Sequence, residues 1–150
     1  GLVFLDPFSV DIQWATIAEI AKTEALEIFL NFPVMALNRT ILRNDGAALT
    51  DAQIQRMNEF WGSTEWRDNI YQEIHTFFGT IERKIQPTSG KRLGRMFQHR
   101  LKEIFSHVTY PLVMTNSRGA PLYCLMFAGH RQVGAKIMRD IFRRYERLGH

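Results

Sequence analysis

The sequence predicts a single α/β domain in which a strand, a helix and a second strand are followed by a helical insert and a closing β-hairpin. Two apolar runs near the start, residues 2–5 and 25–32, flank a stretch with helical periodicity. Two further apolar runs near the end flank the loop 116–120, which contains Gly119. Strands that alternate with helical segments are typical of parallel sheets.

The first elements form a βαβ unit. Residues 2–5 are continuously apolar, as expected of a strand that is covered on both faces. Residues 12–22 have a broad apolar side and are predicted to be a helix, which Ser9 or Asp11 is positioned to cap. The run 25–32 is the second strand and stops before Pro33. Two strands joined by one helix in this way are parallel.

The helical insert is predicted to span residues 34–106. It contains four helices, at residues 34–42, 50–62, 63–79 and 91–105. The second begins with a capping box, in which Gln53 follows Thr50 by three positions. The third begins at Ser63, and its apolar stripe contains Trp66, Ile70, Ile74 and Phe77 or Phe78.

The end of the chain completes the domain. Residues 110–115 and 121–129 are predicted to pair as an antiparallel hairpin. One face of the closing helix is lined by Val133, Ile137, Met138, Ile141, Phe142 and Tyr145. The sequence contains no linker or internal repeat, so residues 1–150 are interpreted as one partial α/β domain.

Composition excludes several classes of protein. No apolar run approaches the roughly 18 residues of a membrane-spanning helix, so no membrane association is expected and the predicted location is the cytoplasm. The five histidines and the single cysteine, Cys124, show no spacing typical of metal ligands, so no metal is expected. Cys124 lies in an apolar run and is predicted to be a small buried side chain.

The net charge of +4 is unevenly distributed along the chain. Basic residues cluster in the last two predicted helices: Lys91, Arg92, Arg95, Arg100 and Lys102, then Arg131, Lys136, Arg139, Arg143, Arg144 and Arg147. Such clusters can bind the phosphates of a nucleic acid. They are also typical of a solvated helix face, since Glu103, Asp140 and Glu146 lie among them.

The carboxyl ends of the first two strands are candidate ligand-binding positions. In open α/β sheets ligands bind beyond these ends, which here carry Asp6-Pro7-Phe8 and Asn31-Phe32-Pro33. The order of elements is that of the second half of a Rossmann-like, class I methyltransferase-type sheet.

Several segments resemble the three-Cys-motif partner protein family. They are FLDPF, FPVMALNR, the tryptophan-containing helices and PLYCLMFAG, and the resemblance covers essentially the whole chain. It implies a methyltransferase-like fold with an amino-terminal half missing, and a partner that carries the three-Cys motif. In methyltransferases that half holds S-adenosylmethionine with a Gly-rich turn. The cofactor is therefore expected for a full-length protein and not for this chain alone.

The resemblance also suggests roles for particular residues. LDPF resembles the Asp-Pro-Pro-aromatic turn of amino methyltransferases, so Asp6, Pro7 and Phe8 are the candidate catalytic residues. Phe8 takes the position of the second proline, and Ser9 that of the aromatic residue. Asn31, Phe32 and Arg39 are the candidate substrate-binding residues, the last two at the ends of FPVMALNR.

The same residues also have ordinary structural interpretations. Asp6 and Asn31 are common turn residues after strands. The tryptophans Trp14, Trp61 and Trp66, together with Tyr110 and Tyr123, could stack on nucleobases, but their spacing favours core positions.

Two functions therefore remain. The chain is either the acceptor-side portion of an S-adenosylmethionine-dependent methyltransferase-like protein, with nucleic acid as a candidate substrate, or a non-catalytic module that binds nucleic acid or protein. If it acts alone, its first strand has an open edge, which predicts a dimer or an aggregation-prone species.

Overall fold

A computed structural model describes residues 1–7, 10–42, 45–85 and 89–149. Its strands are β1 (Leu2–Leu5), β2 (Glu27–Phe32), β3 (Tyr71–Thr76), β4 (Gly79–Lys84), β5 (His107–Val108), β6 (Leu112–Thr115) and β7 (Pro121–Gly129). Its helices are α1 (Trp14–Lys22), α2 (Val34–Ala36), α3 (Asp51–Trp61), α4 (Glu65–Ile70), α5 (Gly90–Lys102) and α6 (Gln132–Arg147). A π-helix (Leu37–Ile41) continues α2, and a 3₁₀ helix (Gly46–Ala48) precedes α3.

The main sheet is mixed, which confirms the predicted α/β class. Strands β1 and β2 are parallel, and Leu5, the last residue of β1, lies opposite Leu30. The long strand β7 runs antiparallel to β2, with Phe32 opposite Cys124. Its other edge pairs with β5 and β6, so the predicted closing hairpin is present.

The two faces of β2 pack against different helices. Ile28, Leu30 and Phe32 point to one face and are fully buried. The ring of Phe32 lies 5.1 Å from that of Phe97 in α5, measured between centroids. On the opposite face the ring of Phe29 contacts Phe142 of α6 at 6.4 Å. The sheet is therefore covered on both sides, by α6 on one and by the insert helices on the other.

The capping box predicted for α3 is confirmed. The Thr50 hydroxyl accepts the backbone N–H of Gln53, and the Gln53 side chain accepts the N–H of Thr50. The helix ends at Gly62, whose φ of 74° lies in the left-handed region. A Cβ at Gly62 would lie 2.2 Å from the Trp14 ring, so glycine also permits the close approach of α1.

Arg100 stabilises this junction instead of contributing to an open basic face. Its guanidinium donates hydrogen bonds to the carbonyl oxygens of Trp61 at 3.0 Å and Gly62 at 3.2 Å. It also lies 4.5 Å from the centre of the Trp14 ring and forms an ion pair with Glu103. One planar cation thus joins α1, α3 and α5.

Two glycines let α5 approach the sheet closely. A Cβ at Gly94 would lie 2.7 Å from Pro111 Cβ and 3.1 Å from the Sγ of Cys124. The thiol donates to the carbonyl oxygen of Gly90 at 3.3 Å. Burial raises the pKa of Cys124 to about 12, so the thiol stays protonated and inert at neutral pH. Cys124 is buried, as predicted.

The helix predicted for residues 63–79 is wrong beyond Ile70. Tyr71 begins β3, which pairs with β4 as a separate antiparallel hairpin, so the insert 34–106 is not entirely helical. Phe77 and Phe78 lie at the turn and are 99% and 97% exposed. Gly79 allows the turn because its φ is 122°.

Tertiary contacts hold this hairpin in place. Arg67 of α4 forms two hydrogen bonds with the Glu82 carboxylate, at 2.8 and 3.1 Å. Lys84 donates to the carbonyl oxygen of Leu42 at 3.0 Å. Both contacts join residues that are distant in sequence.

Helix α6 has two apolar sides of different exposure. Phe142 is buried against the sheet, whereas Val133, Ile137 and Ile141 are 68%, 54% and 50% exposed. The predicted apolar face is therefore only partly covered. Within the described ranges, no helix combines the length and apolar character needed to cross a bilayer.

We expect Arg100→Met to lower the free energy of unfolding by about 1–3 kcal/mol, because the hydrogen bonds and the cation–π contact are lost together. Urea denaturation measures this change. Lys102→Met, an exposed cation on the same helix, is the matched control and should change stability by less than about 0.5 kcal/mol. Equal losses in both variants would contradict the structural role of Arg100.

The double variant Phe77→Ala/Phe78→Ala tests the hairpin. Because both rings are almost fully exposed, we expect a change in the free energy of unfolding of less than about 0.5 kcal/mol. Phe60→Ala, at a fully buried ring, should cost about 3–5 kcal/mol in the same urea titration. A loss of that size in the double variant would indicate that the two rings are packed.

Candidate functional site

A cleft lies at the carboxyl ends of β1 and β2, and we call it the strand-end cleft. Its volume is about 180 Å³, and it is lined by Asp6, Pro7, Asn31, Pro33, Met35, Ala36, Leu122 and Tyr123. These residues come from the ends of two parallel strands, the start of α2 and the first residues of β7. The cleft therefore lies where ligands bind in open α/β sheets.

The register of β1 and β2 brings Asp6 to Asn31. Because Leu5 is paired with Leu30 in the parallel register, the residues that follow them, Asp6 and Asn31, lie side by side near the carboxyl end of β2. Asn31 Nδ2 donates to Asp6 Oδ1 at 2.7 Å. This bond fixes the position of an exposed carboxylate, which retains acceptor capacity for a further donor.

Asn31 carries a second polar atom of interest. Its Oδ1 is buried and has no hydrogen-bond partner among the described residues. A buried amide oxygen without a partner costs free energy, so its position is not explained by stability alone. The exposed acceptor at this end of the sheet is the Asp6 carboxylate, which suits a ligand with N–H donors.

Rigid and aromatic side chains form the walls of the cleft. Pro7 and Pro33 are buried, and each fixes the backbone φ within two residues of the end of a strand. Tyr123 is half-buried and presents an aromatic side chain beside them. Phe8, the third candidate catalytic residue, lies outside the described residues.

Two candidate substrate-binding residues lie elsewhere. Phe32 is fully buried on the opposite face of β2 from Asn31, where it packs against Phe60 and Phe97. Arg39 is exposed in the π-helix after α2 and does not line the cleft. The structure thus brings together Asp6, Pro7 and Asn31, and separates Phe32 and Arg39 from them.

Sequence reasoning assigned Tyr123 to the core, whereas it lines the cleft. The pairing of β2 with β7 places Asn31 opposite Leu125. Residues two apart on a strand point to the same face, so Tyr123 lies on the face that carries Asn31. The register of β7 was the missing information, and no local pattern in the sequence contains it.

The basic helices form a second concave surface. It is a cavity of about 410 Å³, which we call the cationic cavity, and it is lined by Lys91, Arg95, Tyr110, Pro111, Leu112, Val113 and Glu146. The Tyr110 hydroxyl donates to the Glu146 carboxylate at 3.2 Å. Burial and this hydrogen bond both raise the pKa of Tyr110, so the phenol remains neutral at physiological pH.

Some residues of the predicted basic face bind backbone carbonyl groups and are not available to a ligand. Arg92 donates to the carbonyl oxygen of Asn69 at 2.7 Å, and Arg100 joins three helices as described above. Lys91, Arg95 and Lys102 remain exposed on α5. The surface available for phosphates on this helix is therefore smaller than the sequence suggests.

The residues present do not fit S-adenosylmethionine. In the sequence, the four residues that follow β1, residues 6–9, include no glycine that would admit a cofactor close to the backbone. The left-handed glycines of the described residues are Gly62, Gly79, Gly119 and Gly149, and none follows β1 or β2. In the same part of the chain, no group of three or more His, Cys, Asp or Glu side chains is arranged to hold a metal ion.

No family model matches this chain, and neither a curated protein nor a solved structure matches it. The strand-end cleft and the cationic cavity are therefore the two candidate functional surfaces.

The Asp6–Asn31 bond predicts that the free energy of unfolding of one variant, Asn31→Asp, depends on pH. Asn31→Asp removes the donor and places two carboxylates side by side, so we expect the free energy of unfolding at pH 7 to fall by about 1–3 kcal/mol. In acid one of the two carboxylates takes up a proton and can donate to the other, so part of this loss should return. Urea denaturation at pH 7 and pH 4 measures both effects.

Asp6→Asn is the control for this experiment, because it creates no pair of like charges and should show no such recovery in acid. If Asn31→Asp loses the same free energy at both pH values, the two side chains are not adjacent.

Proposed function

We propose that the strand-end cleft binds a planar group with N–H donors, such as the exocyclic amine of a nucleobase. On this proposal the chain is the acceptor-side portion of a methyltransferase-like protein, related to the three-Cys-motif partner family that its motifs resemble. The observation that carries the proposal is the hydrogen bond between Asn31 Nδ2 and Asp6 Oδ1 at 2.7 Å. It holds a carboxylate at the shared end of two parallel strands.

The chemistry of the cleft supports this choice of ligand. A carboxylate accepts two N–H bonds from an amine, and neither oxygen can donate when the group is ionised. Tyr123 offers an aromatic surface against which a planar base can pack, and the two prolines keep the backbone fixed around it. A base that carries only carbonyl groups at the same position would meet like partial charges.

The order of the strands is also consistent with the proposal. A parallel pair followed by an antiparallel strand at the neighbouring position, β1, β2 and β7, is the arrangement expected for the second half of a methyltransferase sheet. On this proposal the residues that follow β1 and β2 belong to the acceptor side of the protein, which is consistent with a sequence that has no glycine at residues 6–9 or 31–36. Any transfer of a methyl group would need the cofactor from a part of the protein other than these 150 residues.

Nuclear magnetic resonance tests the proposal directly. Adenosine and cytidine, which carry an exocyclic amine, should shift the Asn31 side-chain amide and the Leu122 and Tyr123 backbone amides in ¹⁵N-labelled protein. Inosine and uridine, which lack that amine, should shift them less. Asp6→Ala should weaken adenosine binding at least about tenfold, as expected when a hydrogen bond to a charged group is lost.

Asp68→Ala is the matched control, since Asp68 is an exposed carboxylate on α4, away from the cleft. Equal shifts with adenosine and inosine, or unchanged affinity in Asp6→Ala, would contradict the proposal. S-Adenosylmethionine alone should give no saturable shift, and a saturable one would contradict the acceptor-side assignment.

The cationic cavity favours a second candidate, a non-catalytic module that binds nucleic acid. Lys91 and Arg95 flank a cavity of about 410 Å³ that also presents Tyr110. A module of this kind should bind a single-stranded oligonucleotide with an affinity that falls steeply with salt concentration. Fluorescence anisotropy with the Lys91→Gln/Arg95→Gln variant distinguishes this candidate, because that variant leaves the strand-end cleft unchanged.

A further inference from the structure

The cationic cavity lies beside an edge strand of the main sheet. Strand β6 pairs with β7, and no other described strand pairs with it. Helix α5 packs on one face of the sheet and α6 packs on the other. The cavity takes residues from both helices and from the segment 110–113, which includes the first residues of β6. Its walls therefore come from opposite layers of the domain.

The α5 wall is cationic. Lys91 and Arg95 are four residues apart, so they lie on the same side of the helix, and both are exposed. Gly94 lets this part of α5 approach the segment 110–113, because a Cβ there would lie 2.7 Å from Pro111 Cβ. The two cations are thus held beside the start of β6.

The α6 wall carries a carboxylate. The Tyr110 hydroxyl donates to Glu146 Oε2 at 3.2 Å, and the Tyr110 ring contacts Phe142 at 5.9 Å between centroids. Each carboxylate oxygen can accept two hydrogen bonds, so both oxygens of Glu146 retain acceptor capacity. Within the described part of the chain, Glu146 forms no ion pair with Lys91 or Arg95. The cavity therefore presents opposite charges that do not contact each other.

We propose that the cationic cavity binds a guanosine monophosphate unit, with its phosphate at Lys91 and Arg95 and its base at Glu146. The proposal rests on the second candidate function, a module that binds nucleic acid, and specifies which nucleotide that module binds. The volume of about 410 Å³ is within the range of roughly 300–1,000 Å³ that holds small ligands. The ribose of a nucleotide separates its phosphate from its base, as the two walls are separated here.

The carboxylate selects guanine among the bases. Guanine presents a ring N–H and an exocyclic amine side by side, and these two donors match the two oxygens of one carboxylate. Adenine and cytosine place an acceptor nitrogen next to their amine, and uracil places a carbonyl on either side of its N–H, so each would set an acceptor against Glu146. Inorganic phosphate carries no such donors and would meet Glu146 as a like charge. The Tyr110 ring offers a surface on which a base can pack.

Isothermal titration calorimetry on the full chain tests the proposal. GMP should bind at least about tenfold more tightly than AMP, as expected for a hydrogen bond to a charged group. Inosine monophosphate keeps the ring N–H and lacks the amine, so its affinity should lie between the two.

Two variants of α6 test the role of the carboxylate. Glu146→Gln should weaken GMP binding at least about tenfold and abolish the preference over AMP, because the new amide sets an N–H donor against a donor of guanine. Asp140→Asn is the matched control, since it removes an exposed carboxylate of the same helix that does not line the cavity. It should leave both affinities unchanged. A preference for GMP that survives Glu146→Gln overturns the proposal.

The phosphate site separates this proposal from the function on which it rests. Lys91→Gln/Arg95→Gln should weaken GMP and AMP alike, because it removes the cations and leaves Glu146 in place. If an oligonucleotide binds through these cations while GMP and AMP bind equally, the nucleic-acid-binding module stands and guanine recognition is overturned. If neither mononucleotides nor oligonucleotides bind, both are overturned.

A further ligand distinguishes the end of a strand from a free nucleotide. It is a tetranucleotide that begins with a phosphorylated guanosine, followed by three uridines. Tighter binding of this ligand than of GMP indicates a strand end, and weaker binding indicates a free nucleotide. Either result supports guanine recognition, provided that replacing the guanosine by adenosine weakens binding. Equal affinity after that replacement overturns it.

Discussion

The register of β2 determines which of its side chains enter the core and which reach the strand-end cleft. Its alternate residues are divided between the face that packs on Phe60 and Phe97 and the face that carries Phe29 and Asn31. A shift of one residue would place Asn31 in the aromatic core and Phe32 at the strand-end cleft. The burial of Phe32 therefore places Asn31 on the opposite face, near the carboxyl end of β2, where it can reach Asp6. Core packing and site geometry are two consequences of one pairing.

Much of the fold could be predicted because its signals are local. The apolar runs of β1, β2 and β7 are bounded by turn residues, and the capping box of Thr50 marks the start of α3. The β3–β4 hairpin could not be predicted in this way. Trp66, Ile70 and Ile74 are four residues apart, as in a helix, and the helical pattern continues past the point where the helix ends. Residues 71–76 instead pair with β4, and the contacts of Glu82 with Arg67 and of Lys84 with Leu42 join that strand to other parts of the chain.

The candidate site was only partly predictable for a similar reason. Asp6 and Asn31 each follow from the position of a strand end, so a pattern of parallel strands was sufficient to bring them together. Tyr123 depends on the register of a strand about ninety positions later in the chain, which no local pattern specifies. The arginines show the same limit: Arg95 and Arg100 look alike in sequence, yet one lines a cavity and the other binds carbonyl groups between helices.

Because Cys124 is buried beneath α5, the reactivity of its thiol reports the separation of α5 from the sheet. The sulfur contacts Gly90 in α5, and the side chain is fully buried, so a reagent can reach it only when α5 separates from the sheet. When closing is faster than the chemical reaction, the rate of alkylation reports the equilibrium population of that opened form. Since the chain has no other cysteine, the modified fraction measures the local stability of the α5 layer without any engineered label.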